Sequence, residues 1–419
     1  MIKSYSFPQT RLWKTLFAIF LFAILYLVRE SQVSCYLLGF YKAQFLTFGL
    51  TALSAAAFLI VHRKHLREIL LNPRVPICIV YCLMILAPMA AKRDWQMMYF
   101  SIVYCILLAV LLSYFVSCRQ ISKVYVCIVT ALAVFSLVTS YGLRFLADRG
   151  ILVPPTFAND YDAEFYNYIF SFVSITFAKE RNFGIFREPG VYQFFLFLAL
   201  YLNNYHTDWE KESHMWIVSG ILTVTMLSTF ATGGVAATGL FVLALYFDKK
   251  VYRTKIGRIL TVSILALLAV VGAYILICKP RVYDILYLMV LKLFTVNASL
   301  SDRLDSIRFN LHVIKWTPLV GRDVAYILHT VTHNTSSSTI LFGILGVISG
   351  WLNLIGWFAL VWKNKRHILV NLACFVGLLI TFNTQNFIAD PFFWLFPMMA
   401  LTEYLLARIE ALRQKRLNP

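Results

Sequence analysis

A succession of long apolar runs separated by short polar breaks constrains this chain more than any other feature. Twelve such runs fall near residues 12–28, 34–61, 75–91, 95–117, 122–142, 191–205, 213–231, 234–248, 258–278, 338–362, 367–387 and 391–408. A helix needs about 20 predominantly apolar residues to cross a bilayer. A chain of 419 residues, 60% hydrophobic and 14% charged, therefore has room for about a dozen crossings and little else. Soluble domains carry about 25% charged residues, so a large soluble catalytic domain is excluded. Continuous apolar runs, rather than strict alternation, also exclude a transmembrane β-barrel. The expected fold class is all-α: a polytopic integral membrane helix bundle of about 12 transmembrane helices, with a large helical outer loop between spans 9 and 10. Residues 1–142 supply spans 1–5, 143–190 a first outer loop, 191–278 spans 6–9, 279–337 the large loop, and 338–419 spans 10–12 with a basic tail.

The formal charge of +18 belongs to loops flanking helices. No span-free basic domain exists to hold a polynucleotide, so nucleic acid is not an expected partner. Arg63-Lys64, Lys249-Lys250, Lys363/Lys365/Arg366 and Arg413/Lys415/Arg416 fall on one side if the chain turns back at Thr232-Gly233-Gly234 and the N-terminus is inside. That is the bias expected of cytoplasmic segments, and long outer loops are exempt from it. Both termini are then cytoplasmic, and residues 12–28, which lack a small-residue cleavage site, read as a retained signal-anchor. The eight cysteines lie in or beside apolar segments without a Cys-x-x-Cys and read as small buried side chains.

The two outer loops, 143–190 and 279–337, are rich in aromatic and apolar residues, and long ordered connections in compact proteins are usually functional. Residues 160–178, with Phe165, Tyr166, Phe170, Phe172 and Phe177, are expected to form a helix lying on the membrane surface. Asp160-Tyr161-Asp162 is an unremarkable acidic pair, and no metal site or cofactor motif is expected. Three constellations carry chemistry. Arg181-Asn182-Phe183-Gly184-Ile185-Phe186-Arg187-Glu188-Pro189-Gly190 precedes a span. Pro suits a first helical turn and an acid the position before it. Helix-start N–H groups beside two arginines would favour an anion. The alternative roles are a capping acid for Glu188 and a snorkelling interfacial arginine for Arg181. Ser301-Asp302-Arg303-Leu304-Asp305-Ser306-Ile307-Arg308 opens a segment with apolar residues at 304, 307, 311 and 314. This is helical spacing, and the helix should end near Pro318 with a turn at Gly321. Local pairing of Asp302 and Asp305 with Arg303 and Arg308 on a solvated face is the alternative. His333-Asn334 precedes Gly343-Ile344-Leu345-Gly346. A surface histidine is suited to accept a proton from a hydroxyl, with His312 and His329 as competitors.

The motifs R-x-x-G-x-F-x-E-P-G at 181–190, S-x-R with P-L-x-G at 301–321, and H-N with G-I-x-G at 333–346 resemble those of the bacterial O-antigen polymerase and ligase superfamily. By topology the likeness covers most of the chain. The resemblance implies that Arg181 and Arg303 hold the lipid diphosphate and that His333 is the essential loop histidine. Two departures stand out: a polar run at Thr335–Ser338 after H-N, and Ser228-Thr229 with Gly233 where the family often carries Ser-x-Ser-Arg. Arg187 and Arg308 are candidates to supply the cation missing there.

The resulting expectation is metal-independent, inverting glycosyl transfer at the periplasmic face of the bacterial inner membrane. Arg181, Arg303, Arg187 and Arg308 would bind the diphosphate, His333 and Glu188 would be catalytic, and Asn334 would orient the acceptor. Arginine's planar donors meet phosphate oxygens in pairs and stay charged. The partners so implied are an undecaprenyl-diphosphate-linked oligosaccharide, membrane lipids and a chain-length regulator. The intact E-P-G favours a polymerase over a ligase acting on lipid A-core. A lipid-linked oligosaccharide flippase is the non-enzymatic alternative, although transporters usually place ionisable residues near the midplane and these spans carry few.

Overall fold

The computed structural model describes residues 11–61, 63–159, 162–253, 298–330, 334–363 and 366–417. In the N-terminal part the apolar runs are helices α1 (Arg11–Tyr26), α2 (Phe40–Val61), the short α3 (Leu66–Leu70), α4 (Arg74–Lys92), α5 (Met97–Ser113) and α6 (Cys118–Leu137). A π-helical turn at Val138–Leu143 carries α6 into α7 (Arg144–Asp148). Then follow α8 (Pro189–Tyr205), α9 (Glu212–Ser228), α10 (Thr232–Asp248), α11 (Ala298–Trp316), α12 (Val324–His329), α13 (Ser337–Trp362), α14 (Ile368–Phe382) and α15 (Pro391–Leu417). The expected span at 258–278 lies outside the described residues.

Among the described residues four stretches are long and apolar enough to cross a membrane: Arg74–Lys92, Cys118–Asp148, Ser337–Trp362 and Pro391–Arg416. Surface chemistry agrees with a membrane-embedded helical protein. Leu53 and Ile60 on α2, Ile79 and Leu83 on α4, and Ile348 and Ile355 on α13 are exposed, whereas Ser122, Ser136, Asn203, Asn353 and Asn371 are buried. Apolar stripes of this extent on a water-facing surface would be an aggregation liability. Buried polar groups need internal partners. The Asn353 amide finds one, donating to the Phe393 carbonyl of α15 at 3.0 Å.

At the centre stands α8, every residue of which is buried. A helix apolar around its whole circumference belongs in the interior, and α8 packs against α6, α9, α10 and α14. Its far end pairs with the start of α9, where Asn203 Nδ2 donates to the Met215 carbonyl at 2.9 Å. The chain breaks at 229–231, with Phe230 at φ +48, and α10 runs back. Asp248 at its end pairs with Arg366, whose guanidinium lies over the ring of Tyr205 at the end of α8. The two helices are separate, as the hairpin at 232–234 predicted, but the turn falls at 229–231 and Thr232–Gly234 open α10.

One sequence expectation is corrected here. The described residues 162–178 form no surface helix: β1 (Thr156–Ala158), β2 (Glu164–Asn167) and β3 (Phe172–Ser174) form an antiparallel sheet in that order. Phe165 pairs with Ser174 and Asn167 with Phe172. The reason is a short period-two pattern. Phe165 and Phe172 point inward and are buried, and Asn167 Oδ1 accepts from the Ile169 N–H at 2.8 Å to close the turn. The sheet is anchored to α1, where Tyr26 donates to the Ile169 carbonyl at 2.7 Å.

Helix α11 forms where the spacing predicts, but it presents a different face. Leu304 and Leu311 are exposed, while Ser306, Asn310 and Val313 are buried where α11 packs on α13.

Candidate functional site

The R-x-x-G-x-F-x-E-P-G segment wraps the start of α8, and nearly every residue of it is tied down. Asn182, fully buried, donates to the hydroxyls of Ser136 and Ser228 at 2.9 and 3.1 Å. Its Oδ1 accepts from the Gly184 N–H at 3.0 Å. The Gly184 carbonyl accepts from Phe172 of β3, and that of Ile185 from Gln32 in the α1–α2 connection. Arg187 is ion-paired with buried Glu30, Nε to Oε2 at 2.5 Å. Neither atom has an aligned hydrogen bond, so charge holds this pair rather than geometry. Glu30 is also the chief reason that the Arg187 guanidinium lies above its ordinary range, against the opposing effect of burial.

Glu188 has the extended backbone of an N-cap and Pro189 is the first helical residue, as the sequence predicts, but the carboxylate makes no capping bond. Instead it accepts from Gln385 Nε2 at 2.7 Å and lies 3.9 Å from Arg187. Gln385 belongs to the α14–α15 connection. Its carbonyl accepts from the Ser337 hydroxyl, and Asn383 Oδ1 accepts from Ser336 and Ser338. The polar run at Thr335–Ser338 thus stitches the start of α13 to the 383–387 connection.

The second and third motifs interlock. Helix α13 is broken at Gly346, at φ 77 and ψ 175, and the P-L-x-G loop enters the break. The Gly343 carbonyl accepts from the Arg322 N–H at 2.7 Å, and the Val347 N–H donates to the Pro318 carbonyl at 2.7 Å. A Cβ on Gly346 would lie 2.2 Å from the Leu319 carbonyl oxygen, and one on Gly321 would lie 2.4 Å from that of Gly343. Only glycine fits either place at this backbone separation. Lys92 finishes the joint by donating to Tyr99 Oη, the Arg322 carbonyl and the Ile344 carbonyl. Asp94 Oδ2 accepts from the Val324 N–H at 2.8 Å, capping α12 from another segment.

Arg181 and Arg303 come within electrostatic reach of one another. Burial pushes the Arg181 guanidinium below its ordinary range, Arg303 adds to that, and Glu188 opposes both. Arg181 Nε also donates to the Thr229 carbonyl at 3.0 Å, at the α9–α10 turn. Arg181 thus feels both the Glu188 carboxylate and the Arg303 guanidinium, which belongs to a segment more than a hundred residues away in sequence.

Asn334 is buried. It forms a reciprocal amide pair with Asn310 of α11 at 3.0 Å and donates to the Ile327 carbonyl at 2.8 Å. It thereby anchors α11 and α12 beside the start of α13. His333, its chain neighbour, lies outside the described residues. Arg308 sits on the exposed side of α11 and pairs with Asp305 at 3.3 Å. Of the expected diphosphate ligands, then, Arg181 lies within electrostatic reach of Arg303 and Glu188, Arg187 is paired with Glu30 and lies close to Glu188, and Arg308 is paired with Asp305.

Sequence reasoning passed over Gln385, Asn310, Lys92 and Asp94. Each is a lone polar residue, indistinguishable from a solvated one until its partner is known: Lys92 and Asp94 at the end of α4, Gln385 in the α14–α15 connection and Asn310 within α11. Among the described residues no group of three or more His, Cys, Asp or Glu side chains is placed to hold a metal ion.

No family model matches the chain, and neither the curated proteins nor the solved structures contain a match to it.

Proposed function

We propose that this chain is a glycosyltransferase that joins polyprenyl-diphosphate-linked oligosaccharide repeat units into a surface polysaccharide, working at the periplasmic face of the bacterial inner membrane. The observation that carries the reading is the approach of Arg181 to Arg303 beside Glu188. A desolvated cation next to a second cation favours a multiply charged anion between them. Fixed charges in a water-poor site also stabilise a leaving diphosphate without reorganising.

In this reading the acceptor hydroxyl oxygen attacks the anomeric carbon of the donor sugar. The bond from that carbon to the diphosphate oxygen breaks with inversion, and the hydroxyl proton passes to His333. Arg181 and Arg303 take up the charge on the departing diphosphate. Glu188, held by Gln385, keeps the arginines in register or orients the acceptor. The lipid-linked oligosaccharide is both donor and acceptor, and a chain-length regulator is the expected protein partner.

The test replaces Arg181, Arg303, Glu188 and His333 singly by Ala and follows polymer ladders in cells. Removing one electrostatic contributor of this kind typically costs about 10²–10³ in rate, so Arg303→Ala and His333→Ala should collapse the ladder. Normal ladders from both variants would overturn the site. Gene deletion separates the two transferase roles, since loss of a polymerase leaves one repeat unit on the lipid core and loss of a ligase leaves none. Polymer growth by purified protein without any ion gradient would set aside a pure flippase.

A further inference from the structure

A lip of exposed side chains lies where α4 and α11 end, and the proposed transferase chemistry does not use it. Lys92 is the last residue of the apolar stretch Arg74–Lys92, and it donates to the Arg322 carbonyl at 2.9 Å. The turn after α11 is closed by the Gly321 N–H on the Thr317 carbonyl at 3.0 Å, and its Pro318 carbonyl accepts from Val347 of α13 at 2.7 Å. These bonds fix the 317–322 turn at the depth where α4 leaves the hydrocarbon. Arg303 and Lys315 are separated by about 18 Å along the α11 axis, so the lip is distinct from the Arg181 cluster.

Two kinds of side chain project from it. Trp95, Trp316 and Leu319 are 66%, 68% and 67% exposed. The Trp316 Nε1 donates to His312 Nε2 at 3.1 Å, which leaves the indole without a polar atom to hydrate. Large apolar groups left bare around one joint are suited to lipid, and tryptophan is enriched at the membrane–water boundary. The second kind is cationic. Arg93, Lys315 and Arg322 are exposed and take part in none of the ion pairs among the described residues. Of the acids beside them in the chain, Asp94 is taken up by the Val324 N–H and Tyr99 Oη, and Asp323 is exposed. Lys92, Arg93, Lys315 and Arg322 against those two acids leave an excess of positive charge. Beyond the lip, α13 packs on α4 and bares Ile348, Trp351 and Ile355.

We propose that this lip binds an anionic glycerophospholipid, one whose headgroup carries no cation of its own. Its phosphate is held by Arg93, Lys315 and Arg322, and its acyl chains cover Trp316, Leu319 and the bare face of α13. A free phosphate would satisfy the cations but leave the apolar groups uncovered, so the lipid is the occupant. A choline lipid brings its own cation and meets the excess charge less well.

Full-length protein in detergent is titrated with phosphatidylglycerol, phosphatidylcholine and inorganic phosphate, and bound lipid is counted by native mass spectrometry. Each Lys or Arg near an anionic lipid surface adds roughly fivefold to binding, so phosphatidylglycerol should bind saturably and at least about tenfold more tightly than the choline lipid. The Lys315→Gln/Arg322→Gln double variant should lose at least about tenfold in that affinity. Its unfolding midpoint should stay near the parent's, because the joint uses only the backbone of Arg322. Arg413→Gln/Lys415→Gln, an equal loss of charge at the end of α15, should leave the affinity unchanged. A fluorophore on Leu319→Cys, in a cysteine-free background, reports the occupant: brominated phosphatidylglycerol should quench it and aqueous iodide should not. Equal affinity for the two lipids, full competition by inorganic phosphate, an unaltered double variant, or an equal loss in Arg413→Gln/Lys415→Gln would overturn the assignment. So would a Leu319 fluorophore reached by iodide, or one shielded from both quenchers, the mark of a protein partner.

Discussion

At the scale of single residues, the molecule separates groups that hold the fold from groups positioned to meet something else. His206 belongs to the first kind. It is buried at the end of α8 with Nε2 3.1 Å from Tyr201 Oη, and burial, with smaller effects from Lys363 and Arg119, pushes its pKa from 6.5 down to about 3. The folded state therefore binds fewer protons than the unfolded chain between those values. Its contribution is intact above pH 6.5 and is lost as pH falls toward 3. Stability should decline by up to about 1.4 kcal/mol per pH unit in that window from this group alone. Thermal unfolding measured from pH 7 to pH 4.5 should show the decline, and His206→Gln should flatten it; an equal slope in both proteins would remove His206 from the account. Glu188 belongs to the second kind. Because Gln385 donates to it, Glu188→Gln keeps a hydrogen-bonding group but loses the charge facing Arg181. Under the proposed transferase reading, polymer synthesis should fall more in Glu188→Gln than in Gln385→Leu, with unfolding midpoints near that of the parent. The reverse order would make Gln385 the more important of the two.

At the scale of elements, the break in α13 is the feature with the sharpest mutational signature. Gly346→Ala adds both a positive-φ penalty and a clash with Leu319, and should destabilise by at least about 2 kcal/mol. Gly239→Ala in α10 is the control, since nothing lies within 4 Å of its would-be Cβ; it should be neutral or slightly stabilising. Detergent-unfolding midpoints of the two variants check this, and similar midpoints would mean that the break is not needed. Elements also show what could be read in advance. The apolar runs announced the helices, and Glu188-Pro189 announced the start of α8, because both signals are local. The β2–β3 pair escaped notice because four- and three-residue strands give too little alternation to outweigh an aromatic-rich stretch. On α11 the spacing of Leu304, Ile307, Leu311 and Ile314 announced a helix but pointed to the wrong side. The buried side is chosen by Asn310 finding Asn334 and Thr339, partners distant in sequence. The approach of Arg181 to Arg303 is of the same kind: each residue was legible as a candidate, and their meeting was a matter of tertiary structure.

At the scale of the whole molecule, the helix ends sort into two sets. One holds Arg181, Glu188, Gln385, Asn334 and the small sheet; the other holds Lys363, Arg366, Arg119, Asp208 and His206. The second set is the more basic, and in the orientation proposed from the positive-inside rule it is the cytoplasmic one. In a cysteine-free background, Phe177→Cys should react with a membrane-impermeant thiol reagent in intact cells, and Asp208→Cys only after permeabilisation. Both sites are well exposed, at 62% and 68%, and a reversed labelling pattern would invert the orientation.

The seating of residues 318–321 inside α13 bears on how this chain tolerates being cut. The loop peptide and the Lys92 ammonium occupy hydrogen-bonding positions that an unbroken helix would fill for itself. Excising 298–330 would leave the Gly343 carbonyl and the Val347 amide without their loop-side companions, in or near hydrocarbon, where each orphaned group costs several kcal/mol. The 298–330 segment is thus no detachable accessory. A shortened version of this protein should be unable to keep its remaining helices assembled unless α13 is first redesigned to run straight.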